Sequence, residues 1–138
     1  MTPDQMDAVY EQHWAAEAAG DVPAILETLT DDADHDVVGD PIGTVNGHAA
    51  IAERYGSLFG AIQEEKFETL RRYHGTDFLV DDSVWHGRVP GVFLGIPGQN
   101  RAVTFRILHV CEFRDGKISR ENVWLDGGDV IQQLTAPA

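Results

Sequence analysis

The hydrophobic period of this chain is mostly helical up to about residue 62 and alternating after it, and that change limits what it can fold into. Before it, apolar side chains recur at helical spacing; after it, they alternate with polar ones at every second residue. Residues 4–19 place Met6, Val9, Tyr10, His13 and Trp14 on one helical stripe, with Gly20 as a stop. The segment DVPAILETL restarts a helix with Asp21 as cap and Pro23 in the first turn. A short strand near ADHDVV leads to a glycine-marked turn. A third helix over residues 48–63 then carries Ile51, Ala52, Tyr55, Leu58, Phe59 and Ile62 on one face. KFETLRRYHG, DFLVDDSVWHGRV, RAVTFRILHVCEF and KISRENVWL follow as strands, the last two joined by an Asp115-Gly116 hairpin turn. The order ααβαββββ predicts an α+β fold in which three N-terminal helices pack on a curved, mostly antiparallel sheet. At 138 residues, with no repeat or linker, the chain is expected to be one domain, 1–138.

Charge narrows the partners. Ten Lys and Arg against 23 Asp and Glu give a net charge of −13, which opposes binding to nucleic acid or to an anionic membrane surface. No apolar run approaches the length of a membrane span, and MTPDQMDAVY lacks the basic and apolar regions of an export signal. The single cysteine, Cys111, excludes an intrachain disulfide, and its apolar neighbours mark it as a buried small hydrophobe. A reducing cytoplasm is the expected location.

Within this scaffold a few polar residues fall where apolar ones belong. One parity of the fourth strand is Val103, Phe105, Ile107, His109, Cys111, Phe113, so His109 faces the core or a pocket within it. A structural histidine bonded to a neighbour would account for it equally well. His13 and Tyr55 point inward from the first and third helices. Glu121 is a second candidate carboxylate, although alternation alone leaves open which face of the last strand is buried, and a surface pair with an arginine fits as well. Asp40, in DPIG, is either a turn former or a carboxylate at the lip of the apolar helix. Six histidines form no H-x-H or H-x-x-x-H cluster, and His35 and Asp36 point to opposite faces of a strand, so no metal is expected.

The segments TPDQMDAVYEQHWAAEAAGD, ILETLTDDA, DPIGTVNG and HAAIAERY resemble bacterial ketosteroid isomerase, and VPGVFLGIPG, FRDGKI and VWLDGGDVIQQL resemble SnoaL-like polyketide cyclases. Both groups share the cone-shaped fold of nuclear transport factor two. The resemblance implies Asp40 as general base, with His35 or Asp36 as alternative occupants of that position. It further implies Tyr55 and His109 as donors near an oxyanion, and His13 at the place of the isomerase's main oxyanion-hole tyrosine. Val123 stands where the cyclases and the limonene epoxide hydrolases carry an acid. Catalytic candidates are therefore Asp40, His109, Tyr55 and His13. Substrate-binding candidates are His35, Glu121, Val123, Phe105, Ile107, Phe59 and Trp14.

Abstracting a proton beside a carbonyl needs a base and preorganised donors but no metal or cofactor. The expected activity is a cofactor-independent isomerisation, cyclisation or dehydration of a small apolar carbonyl compound, steroid-like or polyketide-like. Epoxide hydrolysis and non-catalytic binding of a small apolar ligand are the alternatives. The opposite row of the fourth strand, Thr104, Arg106, Leu108, Val110 and Glu112, mixes apolar and charged groups as a pairing face does, so a homodimer is expected.

Overall fold

The computed structural model describes residues 1–137. Helix α1 (Pro3–Ala19) begins at a capping box, in which Thr2 and Gln5 exchange side-chain and backbone hydrogen bonds, and ends at Gly20. Gly20 adopts φ 65°, a left-handed conformation that costs glycine nothing and lets its N–H reach back to the last carbonyls of the helix. Helix α2 (Val22–Glu27) is capped by the Asp21 carboxylate, which accepts from the Ala24 N–H. Strands β1 (Leu29–Val37) and β2 (Val45–Asn46) precede helix α3 (His48–Ala61). The long strands β3 (Gln63–His74) and β4 (Phe78–Val89) come next. A small hairpin of β5 (Val92–Phe93) and β6 (Ile96–Pro97) leads to β7 (Arg101–Arg114), β8 (Lys117–Leu125) and a final helix α4 (Gly127–Thr135).

One six-stranded sheet in the order β2-β1-β8-β7-β4-β3 carries the architecture; its pairings are antiparallel except β1 with β8, which run parallel. The α+β class, the three N-terminal helices and the five principal strands match the reading of the sequence. Three elements were not anticipated: β2, the β5–β6 hairpin and α4. Helix α4 forms despite Gly127 and Gly128 because Asp126 caps it, accepting from the Asp129 N–H, and because Val130 and Leu134 fall on one buried face. No helix is long and apolar enough to cross a membrane.

Two apolar clusters hold the sheet to its helices. Met6, Tyr10, Ile25, Ile51, Leu79 and Ile118 pack α1, α2 and α3 on one end of the concave face. Trp85, Phe93, Phe105, Ile107, Val123 and Val130 fill the other end under α4. Fully burying a side chain of this kind contributes roughly 1.5–3 kcal/mol, so both clusters matter to stability. The inward row of β7 is as expected, with Val103, Phe105, Ile107, His109, Cys111 and Phe113 all buried. Burial pushes the Cys111 thiol well above its usual range, which leaves it inert.

The last strand resolves an ambiguity that alternation could not. Phe113 pairs with Ile118 but Glu112 pairs with Arg120, so Ser119 is an extra residue in β8. This bulge reverses the parity, and Ile118, Glu121 and Val123 all face inward.

Candidate active site

Glu121 enters the core at the seam between the two clusters, 1% exposed, and the other polar groups converge on it. His13, from α1, places Nε2 3.2 Å from Glu121 Oε2 and 3.2 Å from Glu17 Oε1. The Tyr55 hydroxyl, from α3, stands 3.0 Å from Glu121 Oε2 and is hydrogen-bonded to Glu17 Oε1. His35 Nε2 from β1 and His109 Nε2 from β7 each lie 3.6 Å from a Glu121 oxygen.

Proton positions follow from this geometry. The Thr28 hydroxyl donates to the Ile25 carbonyl, so its oxygen accepts from His13 Nδ1 at 2.7 Å. Nδ1 of His13 therefore carries a proton. Its Nε2 faces two carboxylates, which accept only, so it too is protonated and His13 is an imidazolium. Burial alone would lower its pKa, but the Glu121 and Glu17 carboxylates outweigh that and raise it to about 10. Burial alone would likewise raise Glu121, but the His13 cation beside it holds the carboxylate far below its usual range. His35 is held below its ordinary value, first by burial and then by the Arg54 guanidinium 3.4 Å from Nδ1. That nitrogen faces a donor, so neutral His35 keeps its proton on Nε2, toward Glu121. Tyr55 is pushed well above its usual range by burial and by both carboxylates, and it remains a hydroxyl.

The Tyr55 hydroxyl has one hydrogen and two carboxylate neighbours. With Glu17 ionised, the hydrogen goes to Glu17 while His13 serves Glu121. With Glu17 protonated, Glu17 donates to the Tyr55 oxygen and the hydroxyl turns to Glu121. Both states leave Tyr55, Glu17, Glu121 and His13 partnered, so rotation of one hydroxyl lets Glu17 take up or release a proton without stranding a buried charge.

Glu17 is also the member of this set that reaches open space. Its side chain is 15% exposed and lines a cavity of about 250 Å³ with Leu58, Phe59, Ile62, Glu64 and Trp85. Phe59 stacks on the Tyr55 ring with centroids 5.8 Å apart, which continues the apolar wall down to the buried cluster. Trp85 lies over Gly87, where a Cβ would collide with the indole ring. An adjoining hollow of about 370 Å³, between α1 and β3, shares Ala18 and Glu64 with the first.

The sequence-derived candidates divide. His13, Tyr55, His35, Glu121 and His109 converge, and Phe59 lines the cavity. Trp14 lies against Phe67 and meets His109 edge-on, while Phe105, Ile107 and Val123 are packed in the second apolar cluster. Asp40 does not join them. Its Oδ1 accepts from the Ile42 N–H at 2.9 Å, an Asx turn, and Oδ2 lies 3.6 Å from Arg54, with the side chain 27% exposed. Among the described residues no hydrogen bond or ion pair links Asp40 to His13, Tyr55, His109 or Glu121. Asp36 bonds Arg120 and Asn122 on the other face. Glu17 and Glu64 were missed. Glu17 is four residues after His13 on the same helical face, a signal that was present in the sequence; Glu64 had none beyond its place at the head of a strand.

His13, Glu17 and Glu121 bring three ligand atoms within 4.8 Å of one another, the one set among the described residues that could hold a metal ion. Because Thr28 fixes the proton on Nδ1, His13 Nε2 is the atom that either a proton or a cation would occupy.

The model of the SnoaL-like domain matches residues 10–121, and the chain belongs to that family. Solved structures agree on the fold. A protein provisionally named SnoaL-like polyketide cyclase from Jannaschia sp. CCS1 superposes with a TM-score of 0.87 at 19% identity, over 100% of this chain and 98% of that one. A protein provisionally named polyketide cyclase from Xanthomonas campestris pv. campestris gives 0.83 at 19% identity, covering 96% and 98%. A hypothetical protein with a ketosteroid isomerase-like fold from Catenulispora acidiphila, in complex with trimethylamine, gives 0.77 at 16% identity, covering 99% and 96%. No curated protein matches the chain.

Proposed function

We propose that this chain is a cofactor-independent acid–base enzyme that removes and returns a proton beside the carbonyl of a small, largely apolar compound, steroid-like or polyketide-like. The observation that carries the reading is the Tyr55 hydroxyl shared between Glu17, which reaches the cavity, and Glu121, which is sealed from it. Glu17 is the base. Tyr55 is the rotor that accommodates both of its protonation states, and the His13–Glu121 pair holds Tyr55 and Glu17 in place. Leu58, Phe59, Ile62 and Trp85 give the substrate an apolar bed of a size suited to one or two rings. Names borne by structural neighbours, polyketide cyclase among them, agree with this substrate class.

Hydrogen–deuterium exchange next to the carbonyl of a cyclic ketone tests the reading. Wild-type protein in heavy water is expected to catalyse exchange, detected by mass spectrometry, and Glu17→Gln to lose it about 100-fold or more. Exchange at the wild-type rate in Glu17→Gln would remove Glu17 from the role.

The protein acts as a homodimer in this proposal, paired through the outer face of the sheet. Tyr73, Val80 and Val110 lie in register there beside Leu108 and Trp124.

A further inference from the structure

A hydroxyl beta to the carbonyl departs as water only when a donor protonates it, and an apolar cavity must offer that donor. The donors expected from the sequence are committed elsewhere. Tyr55 serves Glu17 and Glu121, and His109 turns Nε2 to Glu121 inside the closed core. On the cavity wall the polar groups besides Glu17 are Gln63, which is exposed, Glu64, which is half-buried, and the indole N–H of Trp85, which is turned to Glu64. Glu64 sits on the inner side of β3 opposite Gly87, where the two hollows meet.

We propose that Glu64 is a second catalytic carboxyl, which gives its proton to the substrate's departing oxygen while Glu17 takes the proton from carbon, so that the substrate is a β-hydroxy carbonyl compound and the reaction is loss of water. The inference rests on Glu17 as base and assigns the outcome of the same site. In the step, the electron pair of the C–H bond forms the new C=C bond as the C–O bond breaks. The leaving hydroxyl takes the Glu64 proton and departs as water. Glu17 ends protonated and Glu64 ionised, and exchange with solvent at the cavity mouth restores both.

The surroundings of Glu64 favour this division. Helix α1 presents Glu17 and Glu11, α3 and its C-cap present only Leu58, Phe59 and Ile62, and β4 presents Trp85. Glu65, Lys66 and Arg72 line the neighbouring hollow; Glu65 pairs with Arg88, and Arg72 is taken up by Asp81 and Asp7. Burial first, and the charge of Glu17 second, raise the Glu64 pKa to about 7, with Trp85 acting in the opposite sense. A carboxyl that holds its proton near neutral pH is suited to act as the acid on a cavity that Glu17 also lines.

The probe is the β-hydroxy ketone formed by aldol addition of acetone to benzaldehyde, whose loss of water gives a conjugated enone followed by ultraviolet absorbance. Deuterium exchange beside the carbonyl is followed in the same samples. Wild-type protein should do both. Glu64→Gln should lose dehydration about 100-fold, and at least about tenfold more than it loses exchange, whereas Glu17→Gln should lose both alike. Wild-type dehydration should also decline about tenfold per pH unit above about 7 as Glu64 ionises, a limb absent from exchange. Dehydration at the wild-type rate in Glu64→Gln, or exchange without dehydration in wild-type protein, overturns the assignment of Glu64 and leaves Glu17 standing. Absence of exchange in wild-type protein overturns Glu17 as base, and Glu64 with it.

Discussion

His13 Nε2 and Glu121 Oε2 face each other across 3.2 Å with both side chains 1% exposed, an ion pair closed off from water. Removing His13 strands the Glu121 carboxylate, at a cost of roughly 3–5 kcal/mol, whereas removing Glu121 leaves the His13 cation with Glu17 at 3.2 Å and costs less. His13→Gln is expected to lower the unfolding free energy measured in urea by that amount, and Glu121→Gln by less. The double variant should lose less than the sum, because neither buried charge then remains. Additivity of the two losses within about 0.5 kcal/mol would mean that the pair does not interact.

The same pair sets the pH range of stability. The folded pKa of His13 lies at about 10, above its ordinary value of 6.5, so its contribution is complete below 6.5, declines above it and is gone past about 10. Glu121 is displaced the other way, below its ordinary 4.5, so its contribution is present above 4.5 and is lost as pH falls below it. These are two views of one attraction and count once. Urea denaturation across the pH range should give a plateau from about pH 4.5 to 6.5 and losses on both sides. The alkaline loss should shrink in His13→Gln, and an unchanged alkaline limb there would assign it to another group.

Asp40 is expected to matter for the turn and not for the chemistry. Its carboxylate holds the Ile42 N–H and lies near Arg54, which also donates to the His35 carbonyl at 2.9 Å and so ties the turn to α3. Asp40→Ala should cost about 1 kcal/mol, as loss of a local side-chain to backbone bond does. Asp40→Asn should exchange deuterium into a cyclic ketone at close to the wild-type rate. A loss of 100-fold or more in Asp40→Asn, with the fold intact by circular dichroism, would return the base to Asp40.

How far the sequence reached can be read from single residues. The helices and the long strands were legible because one face of each is buried, and burial imposes the period; Met6, Tyr10 and His13, like Val103 through Phe113, sit as the spacing required. The inward turn of Glu121 was not legible. It depends on Ser119 being extra in β8, and a bulge of one residue changes parity without changing composition. Helix α4 was hidden because two glycines weaken helix propensity, while the capping by Asp126 and the burial of Val130 and Leu134 that offset it depend on the folded sheet. Among the site residues, His13, Tyr55 and His109 stood out as polar interruptions in apolar rows. Glu17 and Glu64 did not, because a glutamate near a helix end or at the head of a strand is what a solvated surface also carries.

Self-association is the remaining expectation, and the outer face of the sheet gives it a specific form. On that face Tyr73, Val80 and Val110 lie in one cross-strand row, and Leu108 and Trp124 pair in the next, with Tyr73 56% and Trp124 40% exposed. Beside them Arg106 holds Asp82 through two hydrogen bonds of 2.6 and 2.7 Å, a planar pair that meets its own copy without leaving a charge unpaired. An apolar patch rimmed by neutralised charge suits a two-fold contact, in which each row packs against the same row of the other copy. Sedimentation at micromolar concentration is expected to give a dimer for the wild-type chain and a monomer for Trp124→Glu, since a carboxylate at the centre of such a contact would be buried against its own symmetry mate. A wild-type monomer, or a Trp124→Glu dimer, would place the contact elsewhere or remove it.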